Sequence, residues 1–298
     1  MKRPRPQLSD YTVGLVCALP VELAAALKMF DEEHEDLTPE LGEANLCTLG
    51  RRGGHNVAIA YLPAGRTGTN PAAVSAARIK AKFKSIRFGL MVGIGGGVPG
   101  REHDIRLGDV TVSEPRGEHG GVVQYDFGKS TASGFVRTGS LNAPPNLLLQ
   151  GLAKLKAHHR IQRSTFGTWP RLTCDDCEKD QIARRTTRGG PSDVVHYGTI
   201  ASGNQVIRDD TTRVQLSREL GEVLCFDMEA AGLLSDFPCL AIRGVSDYAD
   251  SHKNKQWQPY AATTAAAYAK ELLSVIPTDE LPSERTFNET TDNDIIQD

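Results

Sequence analysis

The sequence predicts an α/β fold in three layers, a central mixed β-sheet flanked by helices on both faces. Three observations lead there. Short, uniformly apolar runs recur along the 298 residues and read as strands buried on both sides. Stretches with helical periodicity stand between them, the alternation that builds a covered sheet. Proline, glycine and Asx residues mark most of the junctions. A chain of this length supplies its own core, so the fold needs neither a disulfide nor a metal staple.

Residues 1–10 read as a disordered N-terminus and 11–276 as one folded unit. Tyr11–Ala18 (YTVGLVCA) is a buried strand, and Pro20 opens the helix VELAAALKMF at its first position. NVAIAYL (56–62) is a second strand, and Asn70-Pro71 cap and open a second helix. FGLMVG (88–93) is a third strand, running into Gly95-Gly96-Gly97, and DVTVSEP (109–115) a fourth. PNLLLQGLAKLKAHH (145–159) has helical spacing, whereas 160–195 is polar, Arg-rich and irregular, an excursion from the core. HYGTIAS (196–202), VLCFDM (223–228) and PCLAIRGVSD (238–247) are strands. Asp210 begins a helix through Leu220, Glu229 begins another, and Tyr260–Ile276 is a long Ala-rich helix ended by Pro277. Residues 277–298 form a polar tail.

A net charge of −3 and the lack of a basic stripe argue against nucleic acid as partner and for a small-molecule substrate. No apolar stretch behind MKRPRPQLSD suits a signal peptide, and no run approaches the roughly 20 residues of a membrane span, so a cytoplasmic protein is expected. Among six cysteines, Cys17, Cys225 and Cys239 sit in apolar runs and read as small hydrophobes. Cys174 and Cys177 offer two of the four ligands that structural zinc needs and read as free surface thiols. Arg243, inside an apolar strand, reads as a satisfied structural charge. Trp257 reads as a loop residue packed on the last helix, as a lid or as a subunit contact.

Gly95, Gly97 and Gly100 satisfy G-x-G-x-x-G only formally. A dinucleotide site needs a helix directly after the strand, and here Pro99 and REHDIRLGD lead to another strand. Gly95 and Gly96 read instead as the floor of a pocket at a strand end. Three acids stand where buried strands meet loops: Glu22, Glu229 and Asp247. Singly, each has an ordinary structural role, as a first-turn helix acid or an Asx turn. All three at one end of a sheet point to a cleft.

The segments ALPVELAA (18–25), VGIGGGVPG (92–100), LGDVTVSE (107–114), ASGNQVI (201–207), FDMEAAG (226–232) and RGVSDYAD (243–250) follow in one order. Together they resemble the nucleoside phosphorylase family over about Tyr11–Ile276. Within it the likeness is to the methylthioadenosine/adenosylhomocysteine nucleosidase-like branch and to fungal purine nucleosidase-type domains at the head of immune-receptor-like proteins. The resemblance implies a nucleoside phosphorylase-like fold and cleavage of a purine N-glycosidic bond. It casts Asp247, with Ser246 beside it, as the acid toward purine N7, and Glu229 as the ligand of the ribose 2′ and 3′ hydroxyls. Met228 packs under the sugar, Asp227 beside it is a further substrate-binding residue, and the backbone at Val206 and Ile207 lines the base. Many relatives stack an aromatic residue near Val206, so the stacking partner here is open.

Phosphate-using relatives carry Gly-Asp-Pro-x-Arg after the first strand. This chain has Ala18-Leu19-Pro20-Val21-Glu22 there. The resemblance therefore implies that Glu22 is a general base and water the acceptor, giving free base and ribose from adenosine, inosine or guanosine. Arg66 in AGRTG is a possible phosphate contact, which keeps phosphorolysis or cleavage of a nucleotide as alternatives. Ile94 replaces a small hydroxyl residue of some hydrolytic relatives. A non-catalytic nucleoside-binding signalling module is the alternative of another class. The family implies a homodimer or larger homo-oligomer. No cofactor is expected, and without an N-terminal aspartate cluster for calcium, no metal.

Overall fold

The computed structural model describes residues 3, 5–37, 47–100, 102–161 and 194–278. Strand β1 (Val13–Cys17) leads into helix α1 (Pro20–Lys28), with proline where a missing N–H costs nothing. Then come β2 (Glu32–Glu33), β3 (Cys47–Arg52), β4 (His55–Tyr61), α2 (Thr69–Lys82) and β5 (Phe88–Gly97). β6 (Val110–Ser113), β7 (Val122–Gln124), the hairpin β8 (Gly128–Thr131) and β9 (Gly134–Arg137), and α3 (Asn146–Ile161) follow. The described chain resumes with β10 (Val195–Gly198), β11 (Ile200–Ser202), α4 (Asp210–Glu219), β12 (Cys225–Asp227), α5 (Ala230–Leu234), β13 (Cys239–Asp247) and α6 (Gln258–Val275). Cys174 and Cys177 lie outside the described residues, as do most of the Arg-rich excursion and the C-terminal tail.

One mixed sheet runs in the order β10-β6-β13-β5-β1-β4-β3-β2, with β12, β11 and β7 joined at the far end of β5. The central strands β13, β5, β1 and β4 are parallel neighbours. Strand alternation sorts the core into two layers. Val13, Leu15 and Cys17 pack with Leu148, Leu152 and Leu155 of α3 and Ala265, Ala269 and Leu272 of α6. Val16 turns the other way, with Ala72, Ala76 and Ile79 of α2 and Leu233 of α5. Each such leucine contributes about 1.5–3 kcal/mol by leaving water. This is the covered sheet that the apolar runs predict. No helix among the described residues is long and apolar enough to cross a membrane.

Two local features differ from the sequence reading. HYGTIAS is two strands: β10 pairs with β6, whereas β11 pairs with β7 and β12. The glycine run continues β5 itself, through Gly97. Space beside those glycines is filled by protein. A Cβ on Gly96 would stand 2.9 Å from Asp247 Oδ1, and one on Gly97 2.7 Å from Val245 Cγ1. The run thus lets β12 and the end of β13 close onto β5. After Gly97 the chain reaches β6 without a helix, so the arrangement of a dinucleotide site is absent from these described residues.

Candidate active site

Glu22 is 3 % exposed at the N-terminus of α1. Its Oε2 accepts from the backbone N–H groups of Ala18 (2.7 Å) and Leu19 (2.9 Å), and its Oε1 from Ile94 (2.8 Å). The carboxylate thus caps its own helix and ties the end of β1 to β5. Burial pushes this carboxyl up, and Arg243 and the three N–H donors pull against that shift. Gly93 is required here, because a Cβ would overlap both Arg243 Nη1 and Glu22 Oε1.

Arg243 is wholly buried on β13. Its Nη2 pairs with Asp227 Oδ2, which also accepts from Ala230 N (3.1 Å) and so caps α5. That much matches a structural charge. However, Arg243 Nε and Nη1 and Asp227 Oδ1 are buried without a hydrogen-bond partner among the described residues. Nη1 flanks the same point as Glu22 Oε1, so a donor and an acceptor stand side by side against Gly93. An arginine four residues before a loop-facing aspartate, in a strand with no other charge before that aspartate, was the available signal.

Glu229 occupies the N-cap position of α5 yet makes no side-chain cap bond. Its Oε1 instead accepts from Gly68 N at 3.2 Å, on the loop between β4 and α2. Gly68 has φ 106, a conformation that favours glycine, and a Cβ there would meet Asn204 Oδ1. Asn204 in turn holds the start of α2 by accepting from Thr69 N (2.9 Å) and Thr69 Oγ1 (3.0 Å). Burial, first, and then the negative charges of Asp227 and Glu22 push the Glu229 carboxyl up to about 7 against the pull of Arg243. Three buried carboxyls, of Asp227, Glu229 and Glu22, thus face one guanidinium.

Asp247 closes β13 and is 5 % exposed. A bulge precedes it: Val245 pairs with Gly95 and Asp247 with Gly96, two steps against one. Oδ1 accepts from Ala249 N (3.0 Å), an Asx turn, and Oδ2 from the Ser246 hydroxyl (2.9 Å). Lys253 lies over both oxygens.

The other expected residues sit around these. Met228 is half-buried beside Glu229. Ile207 is buried with Phe226, Tyr125, Val98 and Ala249, and Val206 is 51 % exposed. Asp227 faces Arg243, behind Glu229, with one oxygen committed to the ion pair. Arg66 is exposed on a turn in which its N–H donates to Pro63 O (2.9 Å), two residues before Gly68. Next to Ala18 and Leu19 opens a cavity of about 490 Å³, lined by Leu23, Leu62, Pro63 and Arg78 among others. Trp257 is 9 % exposed and meets Tyr260 of α6 edge-on, so its ring packs on the last helix. Among the described residues no group of His, Cys, Asp or Glu has the arrangement of a metal site.

Comparison with known proteins bears on this geometry. Residues 12–274 match the profile of the Phosphorylase superfamily. A nucleotide-binding leucine-rich repeat (NLR)-like protein of Hyaloscypha variabilis is 43 % identical over 312 aligned residues, covering 96 % of this chain and 31 % of that protein. The chain therefore spans about a third of that relative. A 5′-methylthioadenosine/S-adenosylhomocysteine nucleosidase of Mycobacterium bovis is 25 % identical, covering 89 % of this chain and 97 % of its own. The ATP nucleosidase Cap17 of Escherichia coli is 27 % identical over 88 % of this chain and 51 % of its own. Among solved structures, the futalosine hydrolase of Helicobacter pylori superposes with a TM-score of 0.63 at 19 % identity, over 89 % of this chain and 98 % of that one.

Proposed function

This chain belongs to the phosphorylase superfamily, and from that membership we propose that it is a purine nucleosidase, cleaving the N-glycosidic bond of purine ribonucleosides with water. The observation that carries the reading is Glu22. Both its oxygens are fixed by backbone N–H groups beside Arg243, at the strand end where the resemblance puts the acceptor. A carboxylate there repels phosphate and accepts a proton from water. Arg243 Nη1 donates to the water oxygen while Glu22 takes its proton. Glu229 accepts hydrogen bonds from the ribose 2′ and 3′ hydroxyls. Asp247 delivers a proton to N7, so the purine leaves as a neutral base while the sugar passes through an oxocarbenium-like state. The partner is a small molecule, and the chain works as a homo-oligomer.

Adenosine, inosine and guanosine digests, with and without phosphate, test this by chromatography. Free ribose released at the same rate in both is expected. Ribose-1-phosphate formed only with phosphate would overturn it.

A second reading has its own support. Arg66 has no side-chain partner among the described residues and stands two residues from the Gly68 N–H that holds Glu229. Arg78 borders the neighbouring cavity. These guanidiniums suit a 5′-phosphate, and a relative is an ATP nucleosidase. ATP as the preferred substrate, yielding adenine and ribose triphosphate, would select this reading with the same Glu22, Glu229 and Asp247 chemistry.

Glu229 sets a pH expectation under either reading. Only its ionised form accepts both ribose hydroxyls, and its carboxyl is pushed up to about 7. kcat/KM is therefore expected to fall about tenfold per pH unit below that value, as protons occupy the free enzyme's site. A 2′-deoxynucleoside should show a weaker dependence. A flat kcat/KM from about pH 5.5 to 8 would remove Glu229 from the sugar site.

A further inference from the structure

Asn204 has no part in the chemistry above, yet it stands one residue from the group that holds Glu229. That group, the Gly68 N–H, donates to Glu229 Oε1 at 3.2 Å. Gly68 ends the loop between β4 and α2, and residues 63–67 of that loop are all exposed. Within the loop, the bond from Arg66 N to Pro63 O closes a turn. Its place against Glu229 is therefore fixed at its end, by Gly68 and Thr69. Thr69 opens α2, and the N-cap before it is a glycine, with no side chain to cap the helix. Asn204 supplies the cap from 135 residues away, its Oδ1 accepting from Thr69 N (2.9 Å) and Thr69 Oγ1 (3.0 Å). Two successive N–H groups thus go to different acceptors, Gly68 N to Glu229 and Thr69 N to Asn204. Gly68 joins them at φ 106 and ψ 176, a conformation open to glycine.

Asn204 is itself held from behind. Oδ2 of Asp126, just after β7, accepts from Asn204 N at 2.7 Å and from Nδ2 at 3.3 Å. Gln124 Nε2 holds the other oxygen of that carboxylate at 2.9 Å. These bonds also decide which side of the amide faces Thr69. The same turn serves α5, because Ser202 Oγ accepts from Ala231 N at 2.9 Å and Gly203 N donates to Asp227 O at 3.2 Å. A Cβ on Gly203 would stand 2.6 Å from Tyr125 Cε1, so the turn packs closely on the segment after β7. Residues 202–204 therefore bracket the starts of both helices that flank Glu229. Asn204 is exposed, so water can satisfy Thr69 in its place, but water does not tie Thr69 to Asp126.

We infer that Asn204 is a positioning residue for Glu229, fixing the loop whose Gly68 N–H orients the carboxylate that receives the ribose 2′ and 3′ hydroxyls. The inference rests on the nucleosidase reading above, with Glu229 on the sugar. Asn204 touches no reacting atom and acts through Thr69 and Gly68. Without it the Gly68 N–H drifts from Oε1, the carboxylate turns, and its hold on the two hydroxyls weakens. A sugar that lacks the 2′ hydroxyl makes less of that contact and loses less. Asn204 is thereby a determinant of selectivity for ribose over 2′-deoxyribose.

The test is kcat and KM for wild type, N204A and N204D, on the preferred substrate among adenosine, inosine, guanosine and ATP and on its 2′-deoxy counterpart. Asn204 is exposed, so both variants should fold. The ratio of kcat/KM for the ribose substrate to that for the deoxyribose one is expected to fall about fivefold in N204A, the effect of one hydrogen bond. N204D keeps an acceptor for both Thr69 donors, so its ratio is expected to stay within about twofold of wild type. An N204A ratio within about twofold of wild type, or an equal loss on both substrates, would leave Asn204 no hold on the sugar site. An N204D ratio as low as that of N204A would mean that acceptance by Oδ1 is not what matters. Each of these overturns the inference. Failure of the wild type to release base from any substrate is a separate outcome, which overturns the nucleosidase reading and this inference with it. A wild type that releases base with no preference for ribose instead removes Glu229 from the sugar, and Asn204 loses its role while the hydrolysis stands.

Discussion

Asp247→Asn is expected to lower kcat for base release by about 10³-fold, within the range for losing a general acid. That loss corresponds to about 4 kcal/mol of transition-state stabilisation. The amide oxygen can keep the Oδ1 place and accept from the Ala249 N–H, while its NH2 takes the Oδ2 place beside the Ser246 hydroxyl, which can turn to accept, so the Asx turn and the end of β13 should persist. It can also donate a hydrogen bond to N7, so KM should change little. What it cannot do is transfer a proton. Steady-state kinetics, with circular dichroism to confirm the fold, reads this directly. A kcat within threefold of wild type would remove Asp247 from the chemistry. If no activity existed to lose, ligand binding unaffected by the same substitution would favour a non-catalytic module.

The sheet was legible because its central strands are apolar on both faces and its junctions carry proline, glycine and Asx residues. The same junctions made Glu22, Glu229 and Asp247 stand out, and the structure brings Glu22 and Glu229 around Arg243 with Asp247 across the bulge. Less legible was anything set by pairing between distant segments. β3 carries Arg51 and Arg52 at its end and lies towards the sheet edge, so its pattern is weak. HYGTIAS is one apolar run whose halves take different partners, which only the closure of β12 onto β5 decides. The bulge before Asp247 breaks the alternation of β13, and nothing in RGVSD announces it. Lys253 was invisible for the same reason, and Asp227 was read as a substrate ligand without its partner: one finds Asp247 and the other Arg243 through the folded chain. Arg243 was misjudged in part. Its ion pair is structural, while its unpartnered N–H groups beside Glu22 are a feature no residue count reveals.

Arg243→Met is expected to destabilise the fold by roughly 3–5 kcal/mol at neutral pH, the cost of leaving a buried ion pair half-removed. Asp227 Oδ2 would lose its guanidinium while Oδ1 already lacks a hydrogen-bond partner among the described residues. Glu22 and Glu229 would lose the charge that offsets their burial. The pH dependence follows from the direction of their shifts. A carboxyl held above its unfolded value favours the folded state fully below that unfolded value, and the advantage is lost as pH rises through the folded one. Glu229 makes that transition near 7 in the wild type, and without Arg243 both carboxyls move higher still. The penalty of Arg243→Met should therefore be smaller at about pH 5 than at about pH 8, where the uncompensated carboxyls must either ionise or hold their protons against solvent. Adding Asp227→Asn removes one charge of the broken pair and should recover part of the loss, a coupling of about 1–3 kcal/mol in a double-mutant cycle. Urea unfolding at the two pH values measures all of this. A single variant within 1 kcal/mol of wild type at both would mean that water reaches these carboxylates in the native state, and that Arg243 is kept for the reaction alone.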